Sequence, residues 1–138
     1  MFFSIISVLF SGCDSSEESI KYYNSNPAAT ITSHSNEDEL LEGVEYTFVG
    51  MVSDDNHSST DLNVIWSTDI RELCTVTQPD VEGTTSCRAT LEAGETKLKL
   101  QVSDPDGAAA LASLDIVVQE TEAPTITLLS PTSSGQYY

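Results

Sequence analysis

The nine residues TKLKLQVSD, from Thr96 to Asp104, alternate between apolar and polar side chains. Leu98, Leu100 and Val102 fall on one side of an extended backbone, because successive side chains of a β-strand point to opposite faces. Lysine and glutamine side chains occupy the other side, as in a strand with one buried and one solvated face. The stretch therefore predicts a strand that covers a core, and it sets the period to look for elsewhere in the chain.

Six further segments share this period of two, and turn signals rich in Asp, Gly and Asn separate them. They are VEYTFVGMVSDD (44–55), DLNVIWSTD (61–69), ASLDIVVQ (112–119) and three shorter stretches at 29–33, 73–77 and 85–91. No window of the sequence has the apolar stripe of an amphipathic helix. Seven short strands in roughly 95 residues predict an all-β fold, an antiparallel β-sandwich of two packed sheets.

Trp66 is the single tryptophan of the chain, and an exposed tryptophan could stack on a sugar ring. Its alternation with Leu62 and Val64 places it instead on the apolar face of its predicted strand. We therefore predict that Trp66 is a core residue.

Two segments carry a resemblance to a known group of modules. VSDPDGAAALASLDIVV (102–118) resembles the last hairpin of PKD-type and related bacterial immunoglobulin-like modules. GVEYTFVGMVSDD (43–55), followed by LNVIWSTD (62–69), resembles their second and third strands, including the tryptophan. The resemblance implies an immunoglobulin-like (PKD-type) sandwich over residues 27–121, and it is far less specific for function than for fold.

The N-terminal sequence predicts where in the cell the protein is located. The apolar run from Phe2 to Phe10 is too short for a transmembrane helix, which needs about 20 residues, but it has the length of a signal-peptide core. The sequence LFSGC at its end resembles the lipobox of bacterial lipoproteins. That resemblance implies a signal peptide at 1–12, cleavage before Cys13 and a lipid on the Cys13 sulfur. The alternative is an ordinary secretory signal in which Cys13 has no special role.

The segments that flank the sandwich are predicted separately. Residues 13–26 contain the acylated cysteine and a flexible polar tether without apolar periodicity. At the other end, AATITS (28–33) recurs as APTITL (123–128), about one sandwich length later. Such an echo is typical of tandem modules. Residues 122–138 are therefore predicted to be the truncated start of a second immunoglobulin-like module, and the alternative is a C-terminal tail that matches by chance.

Cys74 and Cys87 remain as a pair once Cys13 carries a lipid. They lie on predicted neighbouring strands joined by a turn around Asp80–Gly83, and an extracytoplasmic compartment permits a disulfide. We predict a cross-strand bridge, with two buried free thiols as the alternative. A zinc site is not predicted, because neither cysteine belongs to a CxxC pair and His34 and His57 show no ligand spacing.

A candidate cation site emerges from the predicted fold. In an immunoglobulin-like sandwich the loops after the second and sixth strands lie at the same end. This arrangement would bring Asp54, Asp55 and Asp61 toward Asp104 and Asp106, and calcium prefers such oxygen ligands. The resemblance to PKD-like and cadherin-like modules also favours calcium. The alternative is a set of ordinary turns in which each aspartate caps its own backbone.

Charge and motifs exclude several functions. The chain has 22 acidic and five basic side chains, for a net charge of -17 at pH 7, which disfavours nucleic acid as a partner. The sequence has no GxSxG, no HExxH and no phosphate-binding glycine loop, so we predict no enzyme, no catalytic residue and no required cofactor.

The functional prediction combines the predicted membrane-anchored location with the predicted β-sandwich fold. We expect an extracytoplasmic protein of the cell envelope or surface that the lipid on Cys13 holds at the membrane. Its module would act as a non-catalytic spacer or adhesion unit that displays downstream domains. Two alternatives stay open: a module that binds a carbohydrate or protein ligand, and the N-terminal accessory region of a lipid-anchored hydrolase.

Overall fold

The computed structural model describes residues 21–127, so the predicted signal peptide, Cys13 and residues 128–138 lie outside the described part of the chain. Within 21–127 the chain forms eight β-strands and one short 3-10 turn. The strands are β1 (Ala28–Ile31), β2 (Asp38–Leu41), β3 (Glu45–Ser53), β4 (Asn63–Thr68), β5 (Glu72–Thr77), β6 (Thr84–Thr90), β7 (Lys97–Ser103) and β8 (Ala109–Gln119), and the turn covers Ser59–Asp61. None of the helical structure in this part is long and apolar enough to cross a bilayer.

The strands form two sheets. One has three strands in the order β1-β3-β6, and the other has five in the order β2-β8-β7-β4-β5. In immunoglobulin nomenclature β1, β3 and β6 take the places of strands A, B and E, while β4, β7 and β8 take those of C, F and G. The prediction of an all-β, immunoglobulin-like sandwich is confirmed.

One strand and one pairing differ from the prediction. β2 has the sequence DELL, and Leu40 is its one buried side chain. Two of its four residues are acidic and adjacent, so the sequence shows no alternation of apolar and polar residues there. Periodicity therefore does not reveal β2. β2 pairs with β8 in parallel, from Asp38 opposite Ile116 to Leu41 opposite Gln119. The pairings within each sheet are otherwise antiparallel in the described residues.

Apart from Leu40 of the unpredicted strand β2, the core lies where the alternating patterns predicted it. Among the residues that the structure describes, thirteen buried apolar ones form one cluster: Ile31, Leu40, Phe48, Val52, Leu62, Val64, Trp66, Cys87, Leu91, Leu98, Leu100, Val102 and Ile116. Trp66 is fully buried, and its ring stacks at 28° on that of Phe48 with 6.2 Å between centroids. Its Nε1 donates a hydrogen bond to Thr85 Oγ1 at 3.3 Å, so the polar tip is satisfied as well. The prediction that Trp66 is a core residue is confirmed.

The predicted disulfide joins Cys74 to Cys87, with 5.8 Å between their Cα atoms. Cys74 belongs to β5 and Cys87 to β6, which are edge strands of different sheets. The two strands are therefore consecutive in the chain but are not ladder neighbours, because the chain crosses from one sheet to the other between them. The bond fastens the two sheets together along one open side of the sandwich.

Gly83 holds the turn between β5 and β6 against β3. Its carbonyl accepts a hydrogen bond from Val52 N at 2.8 Å, and its φ of +86° lies in the left-handed region. A Cβ atom at this position would overlap the carbonyl oxygen of Val52. The close approach of this turn to β3 therefore requires a glycine.

The chain enters and leaves the sandwich at opposite poles. We call the end formed by residues 21–27, the β3–β4 loop and the β7–β8 loop the N-terminal pole. There Asn24 Nδ2 donates to Asp104 Oδ2 at 2.7 Å, and Ser25 N donates to Asn56 Oδ1 at 2.7 Å. β8 runs away from this pole to Gln119, at the end that we call the C-terminal pole.

Candidate metal centre

Asp54 is the first residue after β3, and the fold turns its carboxylate inward. Its Oδ1 accepts hydrogen bonds from the backbone N–H groups of Asn56 and His57, both at 2.8 Å, which is the pattern of an Asx turn. The same oxygen lies 3.0 Å from His57 Nδ1. The Asp54 side chain has no exposed surface, and its Oδ2 has no hydrogen-bond partner among the described residues.

Asp104 holds the corresponding position after β7. Its Oδ1 accepts a hydrogen bond from Ala108 N at 2.8 Å, which closes the β7–β8 turn. Its Oδ2 accepts the bond from Asn24 Nδ2, and the residue is 4% exposed. The amide oxygen of Asn24 is buried and lacks a partner in the described chain. Two buried carboxylates from different sheets therefore meet at the N-terminal pole.

His57 completes the group. One ligand atom each from Asp54, His57 and Asp104 can be chosen so that all three lie within 4.8 Å of one another. The other side of the imidazole approaches Asp106, with 3.3 Å between His57 Nε2 and Asp106 Oδ2. The sequence prediction left His57 out because His34 and His57 show no metal-ligand spacing along the chain. The sequence pattern that could have identified His57 is Asp-x-x-His, because an Asx turn brings the residue three positions after the aspartate back to its carboxylate.

The five predicted aspartates separate into two sets. Asp54 and Asp104 lie in the cluster, and Asp106 reaches it through His57. Asp55 and Asp61 are exposed and do not belong to the cluster, and Asp61 lies in the 3-10 turn. The calcium ligand set that the sequence predicted therefore stays a prediction, with at most three of its five members close together.

Both buried carboxylates are held in their charged form. Burial raises the pKa of Asp54, but hydrogen bonds from Asn56 and His57 outweigh it and leave the pKa below its ordinary value. Burial likewise raises the pKa of Asp104, and bonds from Asn24, Ala108 and Gly107 bring it below the ordinary value. The pole therefore carries two buried negative charges at neutral pH.

A third buried carboxylate, at the C-terminal pole, shows what a satisfied site looks like. Glu95 is 1% exposed, and its Oε1 accepts a hydrogen bond from Thr68 Oγ1 at 3.0 Å. Its Oε2 accepts one from Glu92 N at 2.8 Å. Arg71 Nε lies 2.9 Å from Oε1 as an ion pair, although its angle is too poor for a hydrogen bond. Glu95 therefore has partners on both oxygens and a cation beside it, whereas Asp54 has an oxygen without a partner.

Comparisons with known proteins return structures and no sequence relatives. No protein-family model and no curated protein matches the chain. A titin–obscurin-like 1 immunoglobulin complex is similar over 73% of this chain and 100% of that one, at 13% identity and a TM-score of 0.48. An I-band fragment of titin matches 71% of this chain and 34% of its own, at 19% identity and a TM-score of 0.48. The SrpA adhesin of Streptococcus sanguinis matches 72% and 58%, at 12% identity and a TM-score of 0.46.

At such identities and scores the comparisons assign no function. The fold is established by the strand order itself: two sheets, with β1, β3 and β6 facing β4, β7 and β8. The chain is an immunoglobulin-like β-sandwich with an inter-sheet disulfide and a buried acidic cluster at its N-terminal pole.

Proposed function

We propose that the chain is a non-catalytic module of a lipid-anchored extracytoplasmic protein, which spaces and displays the segments C-terminal to it. The observation that carries the proposal is the position at which the chain enters and leaves the sandwich. Residues 24 and 25 are hydrogen-bonded at the N-terminal pole, and β8 delivers the chain to the C-terminal pole. A module with this geometry adds its full length to the distance between its N-terminal and C-terminal neighbours.

The length is set by β8. Its 11 residues rise by about 3.3 Å each, so the strand alone spans roughly 35 Å. A lipid on Cys13 would hold the tether of residues 13–26 at the membrane, and the sandwich would then raise the downstream chain by this amount. The PKD-type assignment and the second module at 122–138 belong to the same proposal. The described part of that segment, up to residue 127, is exposed and forms no strand.

The disulfide supports the extracytoplasmic location. Structural disulfides persist in oxidising compartments and are rare in the cytosol. Here the bond joins two open sheet edges, β5 and β6, which would otherwise be free to separate or to pair with another chain. A module that displays other domains outside the cell gains from both effects.

A binding role is the second candidate, and one surface favours it. The outer face of the five-stranded sheet has three consecutive rows of side chains across β4, β7 and β8 without a carboxylate. They are Asn63–Ser103–Ala109, Ile65–Gln101–Leu111 and Ser67–Lys99–Ser113. In a chain with a net charge of -17 this three-strand patch is an exception, although Glu72 of β5 lies opposite Ser67 at its edge. Hydroxyl and amide groups on the patch suit a glycan or protein ligand.

Two measurements test the spacer proposal. Mass spectrometry of the mature protein should show residues 1–12 removed and a lipid on Cys13, with a Cys13→Ser chain as the unmodified control. An intact Met1 on the mature protein would refute the anchor.

The span is tested by spin labels on Lys21→Cys and Thr121→Cys in the Cys13→Ser background. Double electron–electron resonance should give a distance above about 30 Å, since β8 alone spans more than that. A distance below about 20 Å would place both labels at one pole and refute the spacer geometry.

A further inference from the structure

We propose that the N-terminal pole binds a divalent transition-metal ion of the zinc class, held by His57 together with Asp54 and Asp104. The inference goes beyond the spacer function and differs from the calcium prediction in the ion and in its ligands. Its first support is Asp54 Oδ2, an anionic oxygen of a side chain with no exposed surface and no partner among the described residues. Buried polar atoms without a partner are uncommon, and such an atom calls for an ion or a bound water.

The surroundings of this oxygen favour a cation. Asp104 brings a second buried carboxylate, and the Asn24 amide oxygen beside it also lacks a partner. The hydrogen bonds and ion pairs of the described chain bring no lysine or arginine to Asp54, Asp104 or Asp106, whereas Glu95 at the opposite pole has Arg71. A metal ion would supply the missing positive charge and a partner for the free oxygens at the same time.

The histidine decides the class of metal. Calcium takes six to eight oxygen ligands, whereas imidazole nitrogen with carboxylate oxygen suits zinc and its neighbours. His57 Nδ1 and Nε2 both face carboxylate oxygens, of Asp54 and Asp106, at 3.0 and 3.3 Å. A neutral imidazole has one N–H, so one of these contacts sets a nitrogen lone pair against an anion. A metal ion bound to that nitrogen removes the repulsion.

The spacing of the ligand atoms is suitable. Atoms bound at about 2.0–2.2 Å to a tetrahedral zinc ion lie roughly 3.3–3.6 Å apart. One ligand atom from each of the three residues lies within 4.8 Å of the other two, so binding requires the side chains to move together by about 1 Å. The bound ion would join the β3–β4 loop to the β7–β8 loop, and Asn24 would connect the incoming tether to the same centre.

The experiment uses the full chain with Cys13→Ser, which removes a free thiol that could bind zinc by itself. The protein is purified in mild detergent with its disulfide intact, treated with EDTA and dialysed. Isothermal titration with zinc chloride should show one site per chain, and a separate titration with calcium chloride should show weaker binding. At a hundredfold excess of zinc over its Kd the melting temperature should rise by roughly 10 °C.

Matched variants assign the site. His57→Gln and Asp104→Asn should each weaken zinc binding about tenfold or more. His34→Gln and Asp61→Asn should leave it unchanged, because neither residue belongs to the cluster. As a measurement that needs no variant of the site, the ring nitrogen resonances of His57 should shift when zinc is added.

Three results would overturn the inference. The first is zinc binding that His57→Gln leaves intact. The second is calcium binding that is tighter than zinc binding. The third is the absence of zinc binding together with His57 resonances that zinc leaves unmoved.

Discussion

Breaking the Cys74–Cys87 disulfide is the sharpest test of how the two sheets are held together. The bond closes a loop with a sequence separation of 13 residues between edge strands of different sheets. In the folded protein many other contacts hold these strands, whereas in the unfolded chain the bond alone constrains the loop. We therefore expect the bond to act mainly by restricting the unfolded state.

The magnitude depends on the loop length. The chain-entropy model gives about 3 kcal/mol for a loop of roughly 15 residues. For a domain of about 100 residues, a loss of this size lowers the melting temperature by roughly 15 °C. Cys87 is also buried, so replacing both cysteines by alanine should cost more than reduction, which keeps both sulfur atoms in place.

The assay is urea unfolding in the Cys13→Ser background, monitored by the fluorescence of Trp66, the single tryptophan. The oxidised protein, the reduced protein and the Cys74→Ala/Cys87→Ala variant are compared at one pH. The oxidised and reduced forms should differ by about 3 kcal/mol, and the reduced form should have the larger m-value because its unfolded chain is less compact. A difference below about 1 kcal/mol, or equal m-values, would refute the reasoning.

Three further predictions concern single residues. Gly83→Ala should lower the free energy of unfolding by at least about 3 kcal/mol, because it adds an overlap with a β3 carbonyl to the strain of a positive φ. In the control Gly94→Ala, φ is also positive but the space is open, so the loss should be only about 1 kcal/mol. Equal losses would contradict the overlap. Glu95→Gln should lower the free energy of unfolding in urea by about 2–3 kcal/mol, because the amide cannot accept all the hydrogen bonds that the buried carboxylate accepts. The exposed control Glu92→Gln should change it by less than about 0.5 kcal/mol. If Glu95→Gln left stability unchanged, the hydrogen-bond network of Glu95 would contribute nothing. Backbone N–H groups just before and at the start of β7 lower the pKa of Asp69 to about 2. The stability that the Asp69 carboxylate contributes is therefore present above about pH 4 and is lost as the pH falls from 4 to 2. The melting temperatures of wild type and Asp69→Asn should converge over that range, and a constant difference would exclude the assignment.

The strands were predictable where the chain alternates over many residues. Leu98, Leu100 and Val102 repeat with period two across a whole strand, so both the strand and its buried face could be predicted. β2 could not, because its pairing with β8 depends on a distant strand and not on its own four residues. The sheet that each cysteine joins was unpredictable for the same reason, since consecutive strands can lie in one ladder or on opposite sides of the sandwich.

The acidic pole was predictable in part. The expected fold was sufficient to bring the loops of Asp54 and Asp104 together, because both aspartates directly follow core strands. Which side chains turn inward depends on hydrogen bonds that the sequence does not show. The Asx turn of Asp54 brings His57 back to the carboxylate, and an amide from Asn24, far away in the sequence, reaches Asp104. Both contacts arise from tertiary structure.

The parallel pairing of β2 with β8 determines how the domain would respond to mechanical tension. If the membrane holds the N-terminal side and a load pulls the C-terminal side, the force reaches β1 and β2 from one pole and β8 from the other. β2 and β8 run in the same direction, so the force would slide them lengthwise past each other. The hydrogen bonds of their four-residue register would then be loaded together in shear, whereas a hairpin pulled from its open end yields one bond at a time. A parallel pair at this position would therefore resist tension along the axis that joins the two poles.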